Sequence, residues 1–265
     1  MAATMAKRAA ESANRTLPAA ERQLFESVYK KSVQEWMRWL PGWDNFPFES
    51  VNVNVVGWAA RSKFQIQGST GGIDVHTGFN DDQGYPTCNP GCSRELHPDG
   101  DFSGCPGGPE RRFHQFLLLD PSWGEFNMGA ASSAGVSISL YGWETIGSQG
   151  KDWPMLVHEF GHSISFPDFL DDFTRPKNRT ICSILWIPEN APEKFVMCPG
   201  SGGFDMPPAL TDMEGWMLRH WWSRFSRLRG WQSDNVTWPA PRNCPQIETR
   251  QLGSKGNNQQ LRDLH

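Results

Sequence analysis

The feature that most constrains this chain is a His-Glu-x-x-His segment whose two histidines are His158 and His162. On an α-helix, side chains four residues apart leave the same face, so both imidazoles can bind one ion. Glu159 points about 100° away from His158 around the helix axis, which lets it reach a metal-bound water as general base. Two neutral imidazoles and a carboxylate suit Zn²⁺, with a fourth position open for water. The segment therefore predicts a zinc site with Glu159 as the catalytic residue.

The residues on either side of this segment predict a buried helix. Asp152 is a suitable N-cap, Pro154 suits the first turn, and residues 155–157 are apolar. Pro167 ends the helix, because proline disfavours the α conformation in the residue before it. The alternative is an amphipathic helix whose histidines bind no metal, since the motif arises by chance in about one chain of this length in a hundred.

The third ligand is predicted from its spacing. Asp168 lies ten residues after His158, where the chain can turn back toward the ion. This is the place of the third ligand in the metzincin pattern His-Glu-x-x-His-x-x-Gly-x-x-His, with Asp here in the last position. Over about 20 residues the stretch resembles the aspartate variant found in snapalysin-like and immune-inhibitor-A-like secreted proteases. The Phe-Pro-Asp-Phe run around Asp168 is similar to their Leu-Pro-Asp segment.

Ser165 departs from this pattern, because it stands where the family has its turn glycine. If the turn needs a left-handed residue, Ser costs on the order of 1 kcal/mol more than Gly. A wider turn is the alternative, and it would leave the role of Asp168 open. Glu214 could then compete as third ligand, as in thermolysin-like zincins, but a Thr211–Glu214 capping box already explains that residue.

The resemblance implies an α+β zincin-like fold of the metzincin type, with a mixed twisted sheet, a backing helix, an active-site helix and a C-terminal helix. Met197 follows Asp168 by about 30 residues and matches the methionine turn beneath the zinc, although a core methionine in a turn is the alternative. Asp171 and Asp172 are candidates to hydrogen-bond the second ring nitrogens of the histidines. The family's edge strand corresponds to residues 129–134 and would pair with an extended peptide.

Hydrophobic periodicity predicts the other elements. A helix over residues 16–40 has an apolar stripe formed by Phe25, Val28, Val33, Trp36 and Leu40. The helix after the capping box has a stripe formed by Met213, Met217, Trp221, Phe225 and Leu228. Strands are predicted at residues 51–56, 63–67, 73–76, 113–119 and 136–141. The expected organisation is a flexible N-terminal segment (1–15), a single zincin-type catalytic domain (16–245) and a polar tail (246–265).

Composition and charge limit the partners. The net charge of −4 gives no sign of binding to nucleic acid or to an anionic membrane surface, and no run of 18 apolar residues could span a membrane. We expect a monomer with a protein or peptide substrate.

Six cysteines and three glycosylation sequons, at Asn14, Asn178 and Asn235, favour a secreted, disulfide-bonded glycoprotein, with a cytosolic zinc protein as the alternative. Residues 1–15 lack an apolar core and are not expected to be a signal peptide as written, so the secreted reading expects a signal that was removed or mis-annotated.

A Cys-rich loop region covers residues 80–112. Its Cys88, Cys92 and Cys105 could form a structural zinc site with His97 or His114, but their spacing is poor for a zinc finger and an oxidising compartment favours disulfides. The pair expected elsewhere is Cys182–Cys198, between the third ligand and the methionine turn. Residues 97–101 could bind Ca²⁺ through carboxylates, although Asx-turns are the commoner use of such segments.

Together these features predict a zinc-dependent endopeptidase in which the metal polarises the scissile carbonyl and Glu159 takes a proton from water. One alternative is a catalytically inert binding protein on the zincin scaffold, whose 13 tryptophans could stack on carbohydrate. Another is a zinc hydrolase with a non-peptide substrate. The intact Glu159 favours catalysis. The tyrosine that some metzincins place just after the methionine turn is absent here, because Pro199 and Gly200 follow Cys198.

Overall fold

The computed structural model describes residues 2–7, 15–82, 84–168, 195–197 and 209–231, and of residues 2–7 it gives the backbone. All of them belong to one unit, Met1–Gln232. The helices are α1 Ala19–Met37, α2 Leu140–Thr145, α3 Pro154–Ser163 and α4 Asp212–Leu228. The strands are β1 Ala2–Lys7, β2 Asn54–Ala59, β3 Asp74–His76, β4 Gln115–Asp120, β5 Gly129–Ser132 and β6 Gly135–Ser139. The fold is mixed α+β.

The six strands form one sheet in the order β3-β2-β1-β4-β6-β5. Neighbouring strands are parallel except for β5, which forms an antiparallel hairpin with β6 at one edge. Leu117 and Leu119 of β4, and Val136 and Ile138 of β6, are fully buried. Helix α3 lies against β5 and β6. This edge of the sheet therefore supports the segment that contains the two histidines.

Helix α1 is the predicted backing helix, and all five residues of its predicted stripe are buried. Trp36 contacts α3 directly: its Nε1–H donates to the carbonyl of Val157 over 2.8 Å. The ring of Trp36 also packs on Phe166, with centroids 4.6 Å apart. One side chain of α1 thus contacts α3 near its start and the turn that follows its end.

The predicted flexible segment 1–15 contains a strand, which corrects that prediction. β1 pairs in parallel with β2 on one side and with β4 on the other, so its backbone groups are used on both edges. Its sequence has three alanines, one β-branched residue and no aromatic residue, so it gave no strand signal. The remaining residues of this segment before Arg15, and the predicted tail 246–265, lie outside the described residues.

Three local predictions are wrong for identifiable reasons. Residues 63–65 form a 3₁₀ helix rather than a strand, because Ser62 and Gln65 make a reciprocal capping box. The strand predicted to end at residue 141 ends at Ser139, whose hydroxyl caps α2. Asp152 is not the N-cap of α3: that place belongs to Trp153, without a side-chain cap, and Asp152 pairs with Lys31 instead.

Helix α4 confirms its capping box but buries a different face from the predicted one. Thr211 and Glu214 cap each other reciprocally at its first turn. The buried positions are Glu214, Gly215, Leu218, Trp222 and Ser226, whereas Leu228 of the predicted stripe is 70% exposed. The ring of Trp39 occupies the space where a Cβ at residue 215 would lie, so this glycine sets which side of α4 faces the core.

The loop region after β3 contains a disulfide and two Asx-turns. Cys92 and Cys105 form a disulfide, so these two thiols are not zinc ligands. Asp99 accepts a hydrogen bond from the backbone N–H of Asp101, and Asp101 accepts one from Ser103, as in Asx-turns. In the part of the chain that the structure describes, we find no helix whose length and apolar character would let it cross a membrane.

Candidate metal centre

Helix α3 is buried on nearly every side. Leu156 and Phe160 are fully buried, and Ser163 accepts a hydrogen bond of 2.9 Å from Gln115 on β4. Gly161, between the two histidines, allows a close approach: a Cβ there would lie 2.5 Å from both Met197 Sδ and a ring atom of Trp36. A larger residue at this position would push the helix away from the layer beneath it, so the glycine fixes the depth of the site.

The second ring nitrogen of each histidine faces a backbone carbonyl. His158 Nδ1 lies 2.8 Å from the carbonyl oxygen of Val196, and His162 Nδ1 lies 2.7 Å from that of Phe166. A carbonyl can only accept, so each Nδ1 carries the hydrogen and each Nε2 is left with a lone pair. Asp171 and Asp172, predicted as candidates for this role, lie outside the described residues. The backbone carbonyls of Val196 and Phe166 already accept the hydrogen bonds from these ring nitrogens.

Three lone-pair atoms converge at one point. His158 Nε2 and His162 Nε2 are 3.1 Å apart, and Asp168 Oδ1 lies 3.2 Å from the first and 3.0 Å from the second. Asp168 Oδ1 is buried and receives no hydrogen bond. Acceptors this close repel one another unless a cation lies between them. The predicted third ligand is therefore brought to the two histidines.

The separations among these atoms fit a zinc ligand set. Zn²⁺ holds nitrogen and oxygen ligands at about 2.0–2.2 Å in tetrahedral sites, which places neighbouring ligand atoms about 3.3–3.6 Å apart. The three observed edges, 3.0–3.2 Å, are within a few tenths of an ångström of that value. Burial, more than the neighbouring His162, lowers the pKa of His158, which favours the neutral imidazole that a metal requires. The donor set fits the metal.

The turn after α3 is tight, despite Ser165. This residue adopts a left-handed conformation, with φ of 75°. Its N–H donates to the carbonyl of His162 over 2.8 Å, and the N–H of Phe166 donates to Gly161 over 3.0 Å. These two bonds define a Schellman motif, the usual helix ending with glycine at this place. The wider turn is therefore not formed, and Ser165 adopts the conformation that brings Asp168 back to the histidines at a cost of about 1 kcal/mol.

Glu159 lies beside the three ligand atoms without joining them. Its Oε1 is 4.0 Å from His158 Nε2, and its Oε2 is buried without a hydrogen-bond partner. Burial, together with the negative charge of Asp168, raises the pKa of Glu159 to about 8. A cation bound by the neighbouring ligands would oppose both effects. The placement suits a carboxylate that exchanges a proton with a molecule next to the metal.

Gly129 makes the room that Glu159 occupies. It is the first residue of the edge strand β5, and a Cβ there would lie 2.5 Å from Glu159 Oε1 and overlap the rest of the carboxyl arm. The sequence marked residues 129–134 only as an edge strand. No pattern within the chain signalled that its first residue contacts Glu159, since the two come together through the fold.

Met197 lies beneath α3, a placement that agrees both with a methionine turn and with a core methionine in a turn. It is fully buried and is placed against Gly161, within a turn at residues 196–197. The backbone of this turn supplies the carbonyl of Val196 to His158. Its N–H groups face Glu214, a second role of that residue which the capping box did not reveal.

The described residues thus bring together His158, Glu159, His162, Asp168 and Met197. The predicted Cys182–Cys198 pair lies outside the described residues. The chain matches no family model, and neither a curated protein nor a solved structure matches it. What the chain does is therefore inferred from the geometry of its own residues.

Proposed function

We propose that this chain is a zinc-dependent endopeptidase of the metzincin type, with His158, His162 and Asp168 as the metal ligands. The observation that carries the proposal is the convergence of three ligand-type atoms within 3.0–3.2 Å, which neutral imidazoles and a carboxylate leave without a hydrogen between them. A protein gains nothing from such an arrangement unless a cation binds there. A buried, unpartnered carboxylate next to that point adds the general base that hydrolysis needs.

Each residue has a distinct task in this proposal. His158, His162 and Asp168 would hold Zn²⁺, which would supply a Lewis acid for the carbonyl of a bound substrate. Glu159 takes a proton from the attacking water at Oε2 and delivers it to the leaving amine. Gly129 keeps that carboxylate in place, and the two backbone carbonyls fix the tautomers of the histidines. Met197 supports α3 from below.

The edge strand β5 supports a peptide as substrate. It pairs with β6 on one side, and no strand of the described residues pairs with its other side. An extended peptide can add to such an edge through backbone hydrogen bonds. Because Gly129 contacts Glu159, a peptide on this edge would pass close to the catalytic carboxylate. We propose an extracellular location, supported by the Cys92–Cys105 disulfide and the three sequons.

The competing proposal is an inert binding protein on the same scaffold. Trp216 and Trp231 favour it, since both rings are more than half exposed and could stack on sugars. The two proposals differ in what they require of Glu159, since a binding protein does not need a buried carboxylate beside the metal. Zinc content and casein cleavage, measured together, discriminate between them.

We expect the purified protein to contain about one zinc per chain and to cleave casein, with cleavage lost when a chelator removes the metal. Metal content by atomic spectrometry and release of soluble peptides are the two measurements. Re-addition of zinc to the chelated protein should restore cleavage, which controls for damage by the chelator. A protein that binds zinc and cleaves neither casein nor an unfolded substrate would support the binding protein instead.

Substitution of Gly129 by alanine is expected to lower cleavage by about 10–100-fold without loss of zinc. The new methyl group overlaps the Glu159 side chain, and a shift of about 1 Å in a catalytic group can have an effect of this size. The measurements are casein cleavage rate and zinc content. Gly78→Ala, at an exposed glycine where a Cβ would meet nothing within 4 Å, is the matched control and should change neither. Wild-type activity in Gly129→Ala would contradict the assigned position of Glu159.

A further inference from the structure

Glu214 is placed in a way that capping alone does not explain. It is fully buried, whereas a carboxylate that caps a helix can remain in water. Its Oε2 accepts hydrogen bonds from the backbone N–H and the hydroxyl of Thr211, at 2.9 and 3.1 Å. Its Oε1 points the other way and accepts the N–H of Met197 at 2.8 Å. One carboxylate therefore joins the start of α4 to the turn at residues 196–197.

The opposite side of the same turn holds a metal ligand. The carbonyl of Val196 accepts the Nδ1–H of His158 over 2.8 Å. The position of this carbonyl depends on the turn, and the N–H groups of the turn are held by Glu214. A continuous path of hydrogen bonds thus runs from α4, through two backbone residues, to the imidazole on α3.

We infer that Glu214 is a positioning residue for His158, acting through the Val196–Met197 turn, and this inference rests on the proposed metal site. The carbonyl of Val196 keeps the hydrogen on Nδ1, which leaves Nε2 free to bind the metal. If the turn moves, the ring can rotate or take the other tautomer, whose Nε2 carries a hydrogen and cannot bind an ion. Partners of this kind affect metal affinity by about 10–100-fold when they are removed.

A carboxylate is needed because acceptors are required at both ends. A glutamine has one oxygen and one NH₂ group. Its NH₂ group would therefore lie against another hydrogen-bond donor, either the N–H of Met197 at the turn or the donors of Thr211 at the cap. An aspartate keeps two acceptor oxygens but is one methylene shorter, so it cannot span from Thr211 to Met197. The two substitutions disturb the same link in different ways. Removal of the Thr211 hydroxyl, in contrast, weakens the cap and leaves the bond to the turn in place.

The test compares Glu214→Gln and Glu214→Asp with Thr211→Ala in the full chain. Zinc affinity is measured by competition with a chromogenic chelator, and thermal unfolding is followed for the metal-free proteins. We expect both Glu214 variants to bind zinc about 10–100-fold more weakly. Thr211→Ala should unfold at a lower temperature, as loss of a cap implies, and should bind zinc within about twofold of the wild type. The nitrogen chemical shifts of His158 should report Nδ1–H in the wild type and in Thr211→Ala, and a mixture of tautomers in the Glu214 variants.

Each outcome separates this inference from the proposed function, because no substrate is used. Wild-type affinity and tautomer in both Glu214 variants would overturn it, as would an equal loss of zinc in Thr211→Ala. Zinc binding without cleavage in the wild type would remove the peptidase proposal and leave the positioning role intact. If one Glu214 variant does not fold, the other variant and the tautomer of His158 in the wild type provide the test. A hydrogen on Nε2 of His158 in the wild type would overturn the inference.

Discussion

Substitution of Glu159 by alanine is expected to reduce casein cleavage by about 10²–10⁴-fold, the usual contribution of a general base. Zinc content should stay at the wild-type level, because Glu159 lies beside the three ligand atoms and its Oε1 is 4.0 Å from the nearest of them. The substitution also removes a buried carboxylate that has an unpartnered oxygen, so the fold should not be weakened. The measurements are the initial rate of casein cleavage and the zinc content of the same preparation.

Two further variants sharpen this result. Glu159→Gln keeps the shape of the side chain and cannot take a proton, so it should be as inactive as the alanine variant. Glu125→Ala, at an exposed position, is the matched control and should cleave like the wild type. Full proteolysis by Glu159→Ala would mean that another base, or a contaminating protease, is responsible.

Loss of the metal is the expected result of Asp168→Ala. Two imidazoles would remain, and zinc sites in proteins normally have three or four protein ligands, so the affinity should fall far below that of the wild type. The three short distances that define the site include two to Asp168 Oδ1. The measurement is zinc affinity by chelator competition. Asp168→His should recover much of the affinity, because it recreates the three-histidine set of most metzincins.

The other nearby carboxylates serve as controls for this variant. Asp171→Ala and Asp172→Ala should lose at most the 10–100-fold typical of residues that only orient ligands. Glu214 is not expected to substitute for the missing ligand, because its two oxygens are occupied by Thr211 and Met197. Normal zinc binding by Asp168→Ala would remove the ligand assignment and the family resemblance built on it.

The sequence predicted those parts of the site that depend on neighbours along the chain. The motif helix, its end before Pro167 and the spacing of Asp168 are local, and the structure brings Asp168 to both histidines. The stripe of α1 was predictable for the same reason, since its period is that of one helix. Even the cost at Ser165 was foreseeable, because it follows from the conformation of a single residue.

What the sequence could not supply depends on contacts between distant segments. The face that α4 buries is set by Trp39 packing on Gly215, a contact that no helical period encodes. The place of β1 in the sheet results from pairing with two strands that lie far along the chain. The contact between Gly129 and Glu159, and the double role of Glu214, are likewise products of the assembled fold.

The tight turn after α3 has a consequence for how the site assembles as the chain folds. All three proposed ligands come from eleven consecutive residues, 158–168, so bringing them together closes only short loops. His162 also has its carbonyl partner, Phe166, within this segment, whereas the partner of His158 lies 38 residues further along. A metal ion can therefore be captured early by His162 and Asp168, with little loss of chain entropy. We expect His158 to be fixed in its binding orientation only when the downstream turn arrives, so that this long-range contact would complete the proposed centre.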